Sequence, residues 1–129
     1  MAKYNKFEDL PVWQAAKKLA VDIYKTVNST KLAKDFGLRE QMQRSAVSVS
    51  SNIAEGFERG SKQEFVQFLY VARGSCGELR SQLQIAKDVG YLSQDEPDAL
   101  CGLAQDISGQ INGFIEYLKS SDRVGQKHQ

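Results

Sequence analysis

Residues 61–86 read SKQEFVQFLYVARGSCGELRSQLQIA, and this stretch decides the fold. Ser61-Lys62-Gln63-Glu64 is a capping box: the Ser oxygen accepts a first-turn N–H, and the Glu three residues on reaches back. Behind it Phe65, Phe68, Leu69, Ala72, Cys76, Leu79, Leu83 and Ala86 recur at three- and four-residue steps, which lines them along one helix face. The spacing predicts a helix over 62–89, about 40 Å long at ~1.5 Å per residue. Gly90 then ends it.

Upstream, Met42, Ala46, Val49, Ile53 and Phe57 predict a second helix over 38–58, with Gly56 and Gly60 weakening its end. Further back, Val12, Ala16, Leu19, Ile23 and Val27 predict a helix over 10–28, with Asp9 as N-cap and Pro11 in the first turn. Residues 28–37, NSTKLAKDFG, form the longest loop. Downstream, Ser93-Gln94-Asp95-Glu96 repeats the capping pattern, and Pro97 suits a first turn. Leu100, Leu103, Ile107, Ile111, Phe114 and Leu118 predict a last helix over 94–119, followed by a polar, frayed tail at 120–129. No segment alternates with period two. Four amphipathic helices with mostly short connections predict one all-α domain over 1–129, an antiparallel up-down-up-down four-helix bundle.

The chain has 129 residues, 17 Lys+Arg against 16 Asp+Glu, one His and two Cys. A net charge of +1 argues against a general polyanion binder, which is normally distinctly basic. The sum hides a gradient: residues 1–47 carry +4, residues 48–92 balance, and residues 93–129 carry −3. No apolar run is long enough to span a membrane, and residues 1–10 are not followed by a signal-like apolar core. Cys76 and Cys101 are too few for a disulfide framework or a zinc site; both are expected as buried thiols in a reducing cytoplasm.

Catalytic chemistry finds little to work with. The only His, His128, stands one place from the end, far from any candidate nucleophile. Glu-x-x-His pairs of a carboxylate-bridged metal site are absent, so no metal or other cofactor is expected. Gly56 and Gly60 fail the spacing of a phosphate loop, with no Lys directly after Gly60 and no preceding strand. The chain is expected not to be an enzyme.

Helix two carries a second stripe beside its apolar row: Gln41, Ser45, Ser48, Asn52, Glu55 and Arg59. Helix three matches it with Gln67, Gly74, Ser75, Glu78 and Gln82. Such small and polar residues form either a packed seam that fixes register or a solvated face. Residues 65–72 are apolar nearly all round, so Val66 and Tyr70, with Trp13 on helix one, are candidates for contact with another subunit. Lys17, Lys18, Lys25, Arg39 and Arg44 are the candidate phosphate contacts; a solvated basic face is the plainer alternative.

The segment FGLREQMQRSAVSV at 36–49, followed by Asn52-Ile53-Ala54-Glu55-Gly56, resembles a bacterial four-helix-bundle family encoded in intervening sequences of 23S rRNA genes and often labelled S23 ribosomal proteins. Arg59, Ser61, Glu64-Phe65, Phe68-Leu69, Ala72, Gly74-Ser75 and Glu78-Leu79 extend the likeness, as do Phe7-Glu8-Asp9-Leu10, Val12-Trp13 and Gly90-Tyr91-Leu92. The resemblance implies a ring-shaped homopentamer, with RNA or DNA as the suggested partner; the residues themselves offer neither a membrane span nor an evident small-molecule site. A more distant likeness is to the accessory variability protein of retroelements, which is basic where this chain is near neutral. Two functions follow: an oligomeric scaffold with weak nucleic-acid contact, or a protein-interaction module that ignores nucleic acid.

Overall fold

The computed structural model describes residues 4–127, with side chains through Ser121. Among these residues there is no strand, and four long helices carry the chain: α1 (Pro11–Asn28), α2 (Phe36–Glu58), α3 (Lys62–Asp88) and α4 (Asp95–Lys127). They form a four-helix bundle in which α2 packs on α3, α3 on α4, and α1 on both α2 and α4.

The predicted apolar rows are the core. Val12, Ala16, Leu19, Ile23 and Val27 of α1 meet Met42, Ala46, Val49 and Ile53 of α2 and Leu69, Ala72, Cys76, Leu79, Leu83 and Ala86 of α3 in one buried cluster. On α4 the buried face is turned by one residue at two places: Ala104 and Ile115 are buried, while Leu103 and Phe114 are only partly so. Both choices satisfy a three-four spacing, so the pattern alone did not separate them. Cys76 is buried as expected, but Cys101 is only half-buried, at the edge of α4, with the Gln84 amide 3.5 Å from its sulfur.

Three predicted boundaries move, each for a local reason. Asp9 is not the N-cap of α1. It lies in a 3-10 turn, Phe7–Asp9, and Leu10 holds the cap position without a side-chain bond. Pro11 at the first helical position brings no N–H and a preset φ, which lowers the need for a capping acceptor. α2 starts at Phe36 rather than 38, because Asp35 Oδ1 accepts the Leu38 N–H at 3.1 Å. α4 does not stop near Lys119: its backbone is helical to Lys127, eight residues past the predicted end. No proline follows Pro97 to break it, and Lys62 Nζ donates to Ser121 Oγ at 2.7 Å across from α3. His128 lies outside the described residues.

The turns follow the glycines. Gly60 and Gly90 both have φ +85°, a left-handed conformation that side chains with a Cβ rarely adopt. After Gly90, Tyr91 N–H returns to Ala86 O at 2.9 Å, closing α3. Ser61 Oγ accepts the Glu64 N–H at 3.1 Å, which is half of the predicted box. The Glu64 carboxylate takes the Ser61 hydroxyl instead of its backbone N–H. In Ser93–Glu96 the other half forms, with Glu96 Oε1 accepting from Ser93 N and Oγ.

Gly56 is more than a weak point in α2. A Cβ there would sit 2.7 Å from Phe68 Cβ and 2.9 Å from Phe65 Cδ1. The absence of a side chain lets α3 lie close against α2, and Phe57, Phe65 and Phe114 then meet edge-to-face at 6.0 and 5.1 Å.

Candidate nucleic-acid interface

Helix α1 turns its lysines outward because its apolar residues take the opposite side. Lys17, Lys18 and Lys25 line an open groove of about 740 Å³ with Glu8, Trp13, Gln14, Val21 and Asp22. Trp13 is braced edge-on by Phe7 at 5.1 Å, and Lys17 Nζ lies 5.7 Å from its ring centre. Lys18 is paired with Asp22 at 2.7 Å. Neither Lys17 nor Lys25 has an ion-pair partner among the described residues; Lys17 stands beside the Trp13 ring, and Lys25 lines the same groove about three helical turns beyond Trp13 along α1.

The two arginines sit elsewhere. Arg44 is exposed, 3.7 Å from Glu40, in a separate groove of about 490 Å³ lined also by Tyr24, Val47, Ser48 and Asn52. Arg39 donates to Ala33 O at 3.0 Å, and its guanidinium lies 4.9 Å from the Phe36 ring centre. The five predicted contacts therefore fall into three places: one groove on α1, one beside it, and the start of α2. A further basic depression, lined by Lys31, Lys34, Asp35, Phe36 and Tyr91, was missed from sequence. Its lysines lie in the predicted 28–37 loop, where Lys31–Lys34 form a 3-10 turn capped by Thr30 and anchored by the buried Leu32. The signal available was Phe36, an aromatic off the apolar row of the helix that follows.

The polar stripe divides. Ser48 Oγ and Ser75 Oγ are 2.9 Å apart across α2 and α3, and Asn52 Nδ2 donates to Ser48 O at 2.8 Å and Oγ at 2.9 Å. Ser45 and Ser75 are buried. That part is a packed seam, in which each bond contributes about 1 kcal/mol. The charged members stay outside it. Glu55 and Arg59 pair at 3.2 Å, Arg59 reaches Glu64 at 3.9 Å and stacks 5.1 Å from Phe68, and Glu78 is exposed. Gln82 Oε1 is buried without a hydrogen-bond partner.

The candidate contact residues for another subunit are already engaged within the chain. Val66 is half-buried against the core. Tyr70, 38% exposed, accepts from Lys119 Nζ at 2.7 Å and has Arg73 and Lys119 at 4.8 and 5.2 Å from its ring. The less committed apolar surface is on the outer side of α3, where Val71, Ile85 and Val89 are 53%, 50% and 57% exposed. Positions 71 and 85 are two heptads apart and 89 is one turn further, so the three share a stripe with Glu78 and Gln82.

The family model of the 23S rRNA-intervening sequence protein matches residues 8–113. The chain belongs to this family. Among solved structures it is similar to a crystal structure of a protein with unknown function from the S23 ribosomal protein family of Bacteroides thetaiotaomicron VPI-5482. The two are 22% identical with a TM-score of 0.74, over 81% of this chain and 97% of that one, a likeness of fold. No curated protein matches the chain. The span that matches the family model takes in the α1 groove, the Phe36 depression and the serine seam, and ends before Lys119.

Other chemistry is sparse among the described residues of this family member. No group of three His, Cys, Asp or Glu could hold a metal ion, and no helix is long and apolar enough to cross a membrane. Burial pushes the Cys76 thiol up from its ordinary range, against smaller opposing effects of a Ser108 hydrogen bond and the Arg80 charge. Tyr91 is also raised, chiefly because its hydroxyl donates to Asp35 at 3.0 Å, and the carboxylate charge adds to the effect.

Proposed function

We propose that this chain is a non-enzymatic, self-assembling scaffold of the cytoplasm that touches nucleic-acid phosphates weakly, through a basic side repeated by its own copies. The observation that carries the nucleic-acid part is the α1 groove, where Lys17 stands beside Trp13 and Lys25 lines the far end, neither with an ion-pair partner among the described residues. Three lysines on one subunit bind weakly on their own; copies held in a ring raise the effective concentration of each next contact. A family defined by proteins from rRNA intervening sequences is consistent with such a partner.

Within one chain the proposed course is up-down-up-down. It is supported by the pairing of Ser48 with Ser75 and of Gly56 with Phe65 and Phe68, where numbers rise along α2 as they fall along α3. Arg73 with Asn112, and Lys87 with Asp98, support the same opposition of α3 and α4. The proposed assembly is a pentameric ring. Val71, Ile85 and Val89 supply apolar surface for the contact, with Trp13, Val66 and Tyr70 as candidate neighbours.

The test is an RNA titration over a salt series. Binding through three lysines of one subunit gives a log–log salt slope of about −2 for a single strand. Absence of binding at low salt refutes the phosphate contact. The same exposed row on α3 favours a second reading, a module that docks another protein. Pull-down with and without nuclease separates the two, since partners bridged by RNA are lost after nuclease.

A further inference from the structure

Phe36 is 67% exposed, more than any other large apolar side chain among the described residues. A ring at the first position of a helix, next to the fully buried Leu32, is not excluded from the core by its chemistry. It is also not loose. Arg39 lies 4.9 Å from the ring centre and is itself tied to Ala33 O at 3.0 Å, so the ring is braced on one side and open on the other.

The charges around it have one sign to spare. Lys31 and Lys34 are three residues apart in a 3-10 turn, a spacing that eclipses side chains onto one side. Both are exposed, without an ion-pair or side-chain hydrogen-bond partner among the described residues. The one acid in the depression, Asp35, has both oxygens committed: Oδ1 to the Leu38 N–H at 3.1 Å and Oδ2 to the Tyr91 hydroxyl at 3.0 Å. What remains is an open depression of about 530 Å³ with a flat aromatic wall and two lysines in its lining, and with the Arg39 guanidinium against the Phe36 ring.

We propose that Phe36 is a stacking platform for one base of a single-stranded nucleic acid, with Lys31, Lys34 and Arg39 holding the flanking phosphates. The proposal rests on the nucleic-acid part of the function proposed above and gives it a second, distinct site. Cations alone would accept a duplex as readily as a single strand. A surface aromatic ring can be used only by a base that has left its stack, so the pairing of ring and cations selects unpaired strands. An acidic peptide satisfies the lysines but leaves the ring unused.

The experiment uses the full chain, a short labelled oligouridylate, a hairpin duplex, and a strand carrying 2-aminopurine. Wild-type protein is expected to favour the single strand and to quench 2-aminopurine. Phe36→Ala is expected to lose roughly tenfold or more in single-strand affinity and to lose the quench. Phe36→Trp is expected to retain both. Lys31→Gln with Lys34→Gln is expected to lower the salt slope by about 1. The ring is mostly exposed, so circular dichroism is expected to be unchanged in Phe36→Ala.

If wild type binds no nucleic acid at low salt, both this site and the proposed nucleic-acid function are refuted. If wild type binds, Lys17→Gln with Lys25→Gln weakens it, and Phe36→Ala binds as wild type, the function stands and this site is refuted. Equal affinity for duplex and single strand, or equal displacement by polyglutamate with and without Phe36, also overturns the stacking role.

Discussion

Gly56→Ala should destabilise the protein although alanine is the better helix former. In an open helix the exchange gains about 1 kcal/mol. At position 56 the new methyl group would lie 2.7 Å from Phe68 Cβ and 2.9 Å from Phe65 Cδ1, with the Phe65 backbone at 3.4 Å. The nearest obstacle is attached directly to the α3 backbone, so no side-chain rotation clears it, and α2 and α3 must part. Overpacking of this kind costs about 1–3 kcal/mol, and the rigidity of the obstacle places it in the upper half of that range. The net loss is about 1–2 kcal/mol, or a fall in melting temperature of about 4–7 °C for a chain of this length. The assay is a thermal melt followed by circular dichroism at fixed protein concentration, because self-association shifts the midpoint. Gly109→Ala on α4 is the control: nothing lies within 4 Å of its added Cβ, so it should gain up to about 1 kcal/mol. If Gly56→Ala melts at or above wild type while Gly109→Ala shows its gain, the close α2–α3 approach is refuted.

Other predictions are as direct. Ile85→Glu is expected to reduce the assembly to single chains while helicity persists, read by light scattering and circular dichroism; it is a cleaner test than Val66→Glu, which would place a charge against the core, or Tyr70→Glu, which keeps a partner in Lys119. Alkylation of the native protein near neutral pH is expected to reach Cys101 before Cys76, because burial lowers both the access and the thiolate fraction of Cys76; peptide mass spectrometry reads the order, and equal labelling contradicts it. Tyr91 has its folded pKa raised, so the stability from its Asp35 bond is fully present below the unfolded value of about 10 and is lost as pH rises through the folded one. Denaturation series should show the stability gap between wild type and Tyr91→Phe closing in alkali; a constant gap would contradict the linkage.

The fold was legible because its signals agreed across levels. Two capping-box sequences, two stop glycines and four apolar rows pointed to the same elements, and the buried residues are largely those rows. What failed was local. Gly56 read as a flaw in α2 because a single-helix pattern cannot show that a neighbour needs the space. Asp9 has the chemistry of a cap, yet Pro11 lowered the need for one. The end of α4 carries polar residues that suit a tail, but no proline stands among them to break the helix.

The candidate sites were less legible. The sequence offers Lys17, Lys18 and Lys25 together on one helix as candidate contacts, and the groove unites them. It could not show that Arg39 turns towards Phe36 or that Arg44 faces another groove, because those positions depend on how α2 meets its neighbours. The polar stripe was read as either seam or solvated face, and it is both: the serines and Asn52 pack, while Glu55, Arg59 and Glu78 stay outside. Val66 and Tyr70 stood out as excess apolar residues in the sequence. α4 accounts for Tyr70 through Lys119, and the exposed row lies instead at Val71, Ile85 and Val89.

Self-assembly underlies the whole account, because the weak basic side matters only when it is repeated. Its most direct test is the solution mass of the full chain by light scattering. A mass of five chains is the predicted result, and a mass of one chain across the accessible concentration range would contradict it.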